Sequence, residues 1–137
     1  MKLVVGYDGS EHAGRALERA ALLSTGDPVV VVSVVSVSGP AARGPARVEP
    51  REIEVHHEQL AHARSLLKTY GVEAQLIETL GNAIGDTADA LIDVARKHNA
   101  DIIVVGTRGL GGLKRLVLGS VSTKLVHEAP CDVLVVR

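Results

Sequence analysis

"GDTADALIDVARKHNADIIVVG", residues 85–106, contains a helix start, a helix and a strand in one continuous stretch. Gly85-Asp86-Thr87 supplies capping chemistry, and Ala88, Leu91, Ile92 and Ala95 recur at helical spacing, which predicts a helix over Asp86 to His98. Ile102 to Val105 is then apolar throughout, with branched side chains and no alternation. Such a run suits a strand covered on both faces by helices, the environment of a parallel sheet.

The same grammar extends in both directions. Leu3 to Tyr7, Val29 to Val37, Ala74 to Thr79 and Val133 to Val136 are the other expected strands. Ala74 to Thr79 alternates somewhat, which suits an edge. Helix-like segments fill the gaps at Ser10 to Leu23, Glu52 to Tyr70 and Ser120 to His127. The order βαβαβαβαβ predicts an α/β fold with a parallel sheet and right-handed crossovers. One stretch breaks the rhythm: "SVSGPAARGPARVEP", residues 36–50, is rich in Gly, Pro, Ala and Arg without periodicity. Its part 38–50 is expected to be a mobile loop, either a lid over the C-terminal edge of the sheet or a plain surface insertion.

Composition bounds the function. A chain of 137 residues, 46% apolar, can bury one core, so residues 1–137 are expected to form a single domain. Fifteen basic residues against sixteen acidic ones give a net charge of −1, which provides no general attraction to nucleic acid or anionic membrane. Cys131 is the one cysteine, so no internal disulfide is possible and a reducing, cytoplasmic setting fits. The longest apolar run, Val29 to Val37, is too short for a bilayer, and the first residues lead directly into a strand without a signal-peptide pattern. The expectation is a soluble, unprocessed protein.

After the fourth strand comes "GTRGLGGLKRLVLGSVS", residues 106–122. In an open parallel sheet, ligands bind outside the carboxyl ends of the strands, where strand order reverses. Gly106, Gly109, Gly111 and Gly112 can take positive φ and let successive backbone N–H groups curl around an anion. Gly119-Ser120-Val121-Ser122 begins the last helix, whose first turn carries unpaired donors and the positive end of the helix dipole. A phosphate chain suits both parts, with Arg108, Lys114 and Arg115 adding charge. The plainer alternative is a flexible connector followed by a Ser120 or Ser122 cap. The spacing is neither a Walker A loop nor the dinucleotide fingerprint, since no Gly-Lys-Ser/Thr is present and the glycines follow the fourth strand.

The spacing Gly106, Gly109, Gly119-Ser120, a G-x2-G-x9-G-S pattern, resembles the nucleotide-binding signature of the universal stress protein family, in its ATP-binding branch. The resemblance extends over nearly the whole chain, through "VVGYDGSEHAGRALERA", "GDTADALIDVARKHNADIIVVGTRG" and "STKLVHEAPCDVLVV". Departures are Ser33 before Val34, where the family often has histidine, Asp132 in a frequent proline position, and a small insertion around residues 80–84. The resemblance implies a three-layer fold with a five-stranded parallel sheet in the order 3-2-1-4-5. It implies ATP as ligand, with any Mg²⁺ held mainly by the phosphates. It places Gly6 and Asp8 beside the adenosine and Val34 and Val105 against the adenine. The Gly106, Gly109 and Gly119 backbones, with Ser120, Val121 and Ser122, would hold ribose and phosphates. It further implies a homodimer through Val133 to Val136 and a regulatory role in stress response.

Other residues invite chemistry less strongly. His56, His57 and His62 on the charged second helix are expected to face solvent, and no cluster completes a metal site. His12, near Asp8, is a lesser candidate for touching nucleotide. His127 one turn after Thr123 reads as a surface pair, Cys131 as a small core residue, and Tyr7 as packing beneath a helix. No catalytic base can be named. Two rivals to nucleotide binding stay open: a slow ATPase or nucleotide-transferring enzyme in which Asp8 or His12 aids water attack, and a nucleotide-free dimerisation module.

Overall fold

A computed structural model describes residues 1–35, 50–81, 87–107 and 118–137. Its elements run β1 (Leu3–Gly6), α1 (Glu11–Leu23), β2 (Val29–Val35), α2 (Pro50–Thr69), β3 (Ala74–Leu80), α3 (Thr87–His98), β4 (Ile102–Gly106), α4 (Ser120–Glu128) and β5 (Asp132–Val136). All pairs are parallel and the order is β3-β2-β1-β4-β5. The chain therefore starts in the middle strand, builds outward through β2 and β3, then crosses back to place β4 on the other side of β1. That reversal opens a crevice at the carboxyl ends of β1 and β4.

Strand alternation divides the core into two layers. Leu3, Val5 and Tyr7 point to one face, where α1 contributes Ala13, Ala16, Leu17 and Ala20 and α2 contributes Leu60, Ala63 and Leu67. Val4, Val32, Ile103 and Val105 point to the other, against Ala88, Leu91, Ile92 and Ala95 of α3 and Leu125 of α4. Alanines on the buried faces of α1 and α3 let those helices lie close to the sheet. The larger groups supply most of the burial: a fully enclosed leucine such as Leu17 contributes about 1.5–3 kcal/mol. β1, β2 and β4 are nearly completely covered, whereas β3 is half-buried and alternating, as its place at the sheet edge requires.

The helix starts carry their own chemistry. Ser10 caps α1, its Oγ accepting from the Ala13 N–H at 3.2 Å. α2 begins at Pro50, two residues before the expected Glu52, because proline fits a first helical position whose N–H has no partner to lose. The expected loop 38–50 thus gives up its last residue to a helix, and its remainder lies outside the described residues, as do Ser36, Val37, Gly85 and Asp86. Among the described residues no helix is long and apolar enough to cross a membrane.

Candidate functional site

A cavity of about 760 Å³ lies above the reversal point, a volume that suits a small molecule. Its floor is the sheet end: Gly6 at the end of β1 with Tyr7 and Asp8 after it, Val32 and Val34 from β2, Val105 and Gly106 from β4. Thr87 and Leu91 of α3 and Val121 of α4 wall one side. Arg51, Glu52, Val55, His56 and Gln59 of α2 wall the other, together with Ala13 of α1. The cavity therefore bridges the two helical layers.

Gly6 leaves part of the floor bare. A β-carbon there would come within 3.0 Å of Leu91 Cδ1 and 3.2 Å of Val105 Cγ1, so the bare backbone keeps the space between these groups open. Tyr7 turns to the opposite face and is buried beneath α1 and α2, as its place in the strand predicts. Burial, followed by the nearby Asp8 charge, raises its phenol above the ordinary value. Asp8 then begins a turn in which the Ser10 N–H donates to its Oδ1 at 2.9 Å. Gly9 at φ +79° completes that turn, and Gln59 of α2 packs against it, 3.0 Å from where a β-carbon would sit. Asp8 thus both organises the turn leading into α1 and lines the cavity.

The end of β4 is tied down by three contacts. A β-carbon on Gly106 would lie 2.7 Å from the carbonyl carbon of His12, so α1 occupies the space this glycine leaves. Gly106 is not at positive φ, contrary to the freedom expected of it; close approach of another element is what requires glycine here. Thr107 Oγ1 lies 3.1 Å from His12 Nδ1, and the Thr107 carbonyl accepts from the Gly119 N–H at 2.9 Å. His12 consequently serves as a brace between α1 and β4 and does not line the cavity.

Gly119 is the N-cap of α4, with φ −63° and no side-chain capping bond. The first bond of the helix runs from the Thr123 N–H to the Gly119 carbonyl at 3.0 Å, leaving the amides of Ser120, Val121 and Ser122 ahead of the ladder. The Ser122 hydroxyl turns back to donate to the Gly119 carbonyl at 3.0 Å and is buried. Neither serine is the cap.

Of the expected site residues, Gly6, Asp8, Val34, Val105, Gly106 and Val121 meet at the cavity. Gly119, Ser120 and Ser122 stand at the adjoining helix start, whereas Arg108 and Gly109 lie outside the described residues. Sequence reasoning missed the α2 wall. His56, expected at the surface, lines the cavity and its Nδ1 pairs with the fully buried Ser33 hydroxyl of β2. Its neighbours conform: His57 is exposed and pairs with Glu78 at 3.0 Å, and His62 is exposed. The available signal was spacing, since Glu52, His56 and Gln59 share one face of α2 with the buried Leu60, Ala63 and Leu67. Among the described residues, no three His, Cys, Asp or Glu side chains gather as metal ligands would. Cys131 packs against the α3/α4 layer, and burial raises its thiol above the ordinary value.

Comparison with known proteins now places the chain. The model of the universal stress protein family matches residues 1–137. A universal stress protein of Thermus aquaticus is 36% identical over 98% of this chain and 97% of its own. Among solved structures, a universal stress protein from Archaeoglobus fulgidus superposes with a TM-score of 0.81 at 28% identity, covering 100% of this chain and 93% of that one. Another from the same organism, solved in complex with dAMP, superposes with a TM-score of 0.76 at 26% identity over 100% and 98% of the two chains. A match along the full chain, in sequence and in strand order, makes this protein a member of the universal stress protein family.

Proposed function

We propose that this protein binds ATP in the crevice above β1 and β4 and acts as a regulatory, stress-response module rather than as a catalyst. The observation that carries the reading is the cavity itself: about 760 Å³, at the point where strand order reverses, with apolar surface from β2, β4, α3 and α4 and the start of α4 beside it. Val34, Val105, Leu91 and Val121 form apolar surface suited to a purine. Gly6 leaves room beside it and Asp8 offers a carboxylate at the rim. The amides of Ser120, Val121 and Ser122 favour a phosphate through position and dipole. Gly119, whose own N–H is taken by Thr107, would contribute by lacking a side chain. Arg108, Gly109 and the backbone of Gly106 complete the proposed phosphate site, and Mg²⁺ would be held mainly by phosphate oxygens. The dAMP-bound relative from Archaeoglobus fulgidus supports an adenine nucleotide as ligand.

Occupancy by nucleotide changes a surface read by partners or a second subunit. β5 stands at the edge of the sheet with Val133 to Val136 partly exposed, which supports pairing with its copy in a homodimer. A cytoplasmic location belongs to the same reading, since the one thiol has no internal partner.

Thermal unfolding tests the proposal. ATP at about a hundred times its dissociation constant stabilises a binding protein by about 2.7 kcal/mol. In a chain of this length that is roughly a 10 °C rise in melting temperature. No rise, with no adenine nucleotide found by mass spectrometry of natively purified protein, overturns the reading in favour of a nucleotide-free module.

A further inference from the structure

The inward face of α2 changes character along its length. Leu60, Ala63 and Leu67 are buried in the core, and Glu52, His56 and Gln59 continue the same face toward the helix start, where they reach the cavity wall. An inward stripe that turns from apolar to polar where it passes a cavity departs from the pattern that best serves folding, and such departures concentrate at functional sites. His56 has its partner in Ser33. For Glu52 Oε2 and Gln59 Oε1, both shielded from solvent, no donor is found among the described residues. A buried acceptor without a hydrogen bond is destabilising, and folded proteins keep few of them. Here two stand on one wall of one cavity, and none of the donor-bearing side chains that share it, Tyr7, Arg51, His56 and Thr87, bonds to either oxygen.

We propose that this face of α2 reads the hydrogen-bond donors of a bound nucleoside, with Glu52 Oε2 and Gln59 Oε1 accepting from N–H or O–H groups that the ligand brings. The inference rests on the nucleotide reading above. An adenine nucleotide carries such donors on its exocyclic amine and its ribose hydroxyls, so the shared chemistry is a neutral donor presented to a sheltered acceptor. The acceptors also discriminate. A purine carrying a carbonyl in place of the amine, or a sugar without its 2′-hydroxyl, leaves an acceptor unpaired.

The test is isothermal titration of wild type, Glu52→Leu and Gln59→Leu with ATP, ITP and dATP, alongside melting of each protein without ligand. Wild type is expected to bind ITP or dATP about tenfold more weakly than ATP, the first if the amine is the donor and the second if the hydroxyl is. Each variant is expected to bind ATP about tenfold more weakly than wild type, losing that preference, while melting no lower than wild type without ligand. Unchanged ATP affinity in both variants overturns the inference and leaves ATP binding standing; a wild type that binds no ATP overturns both. Variants that melt lower without ligand, or fail to fold, show that the two side chains serve the fold, and this too overturns the inference.

Discussion

Two glycines on neighbouring strands are bare for different reasons, and the difference is measurable. At Gly106 the obstacle to a β-carbon is the His12 backbone at 2.7 Å, which cannot yield without moving α1. At Gly6 it is the end of the Leu91 side chain at 3.0 Å, which can swing aside. Gly106→Ala is therefore expected to destabilise by about 1–3 kcal/mol and Gly6→Ala by less, about 1 kcal/mol, as read from urea midpoints. The reverse order would contradict the close approach of α1 to β4. Tyr7 offers a second measurement. Its phenol is raised by burial, so the folded state holds the proton more tightly than the unfolded chain. The associated stability is fully present below the ordinary phenol value near pH 10 and is lost as pH rises through the elevated folded value. Tyr7→Phe is expected to flatten that alkaline loss, and urea midpoints taken between pH 9 and 11 on both proteins check it.

At the scale of elements, all five strands and four helices of the described residues were legible from valine-rich runs and helical spacing, because each buries a face whose period shows in the chain. Their ends were less so. β1 stops at Gly6 and β3 runs on through Leu80, limits decided by the partner strand rather than by the residue itself. The strand order came from the family resemblance, since apolar runs name strands but not their neighbours. Half of the cavity lining was legible in the same way: Asp8 follows β1 and Gly106 ends β4, the two strands that flank the reversal. The α2 half was not, because glutamate, histidine and glutamine look alike whether they face water or a cavity; only what lies across from the helix distinguishes them. Gly106 shows a subtler miss, the residue correctly singled out for bare backbone but on behalf of α1, whose approach no local pattern reveals.

For the molecule as a whole, the proposed assembly rests on one strand. Among the described residues β3 and β5 end the sheet, and each leaves one side of its backbone without a strand. Val135→Lys places a charge on β5 and is expected to convert a dimer to a monomer in sedimentation velocity. A wild type that sediments as a monomer at micromolar concentration would remove the proposed pairing. The knot formed by Gly106, Thr107, His12 and Gly119 has a consequence of another kind. It fixes where the chain departs from the sheet after β4 and where it returns at α4, so the two ends that border the crevice keep one spacing through any exchange of its contents.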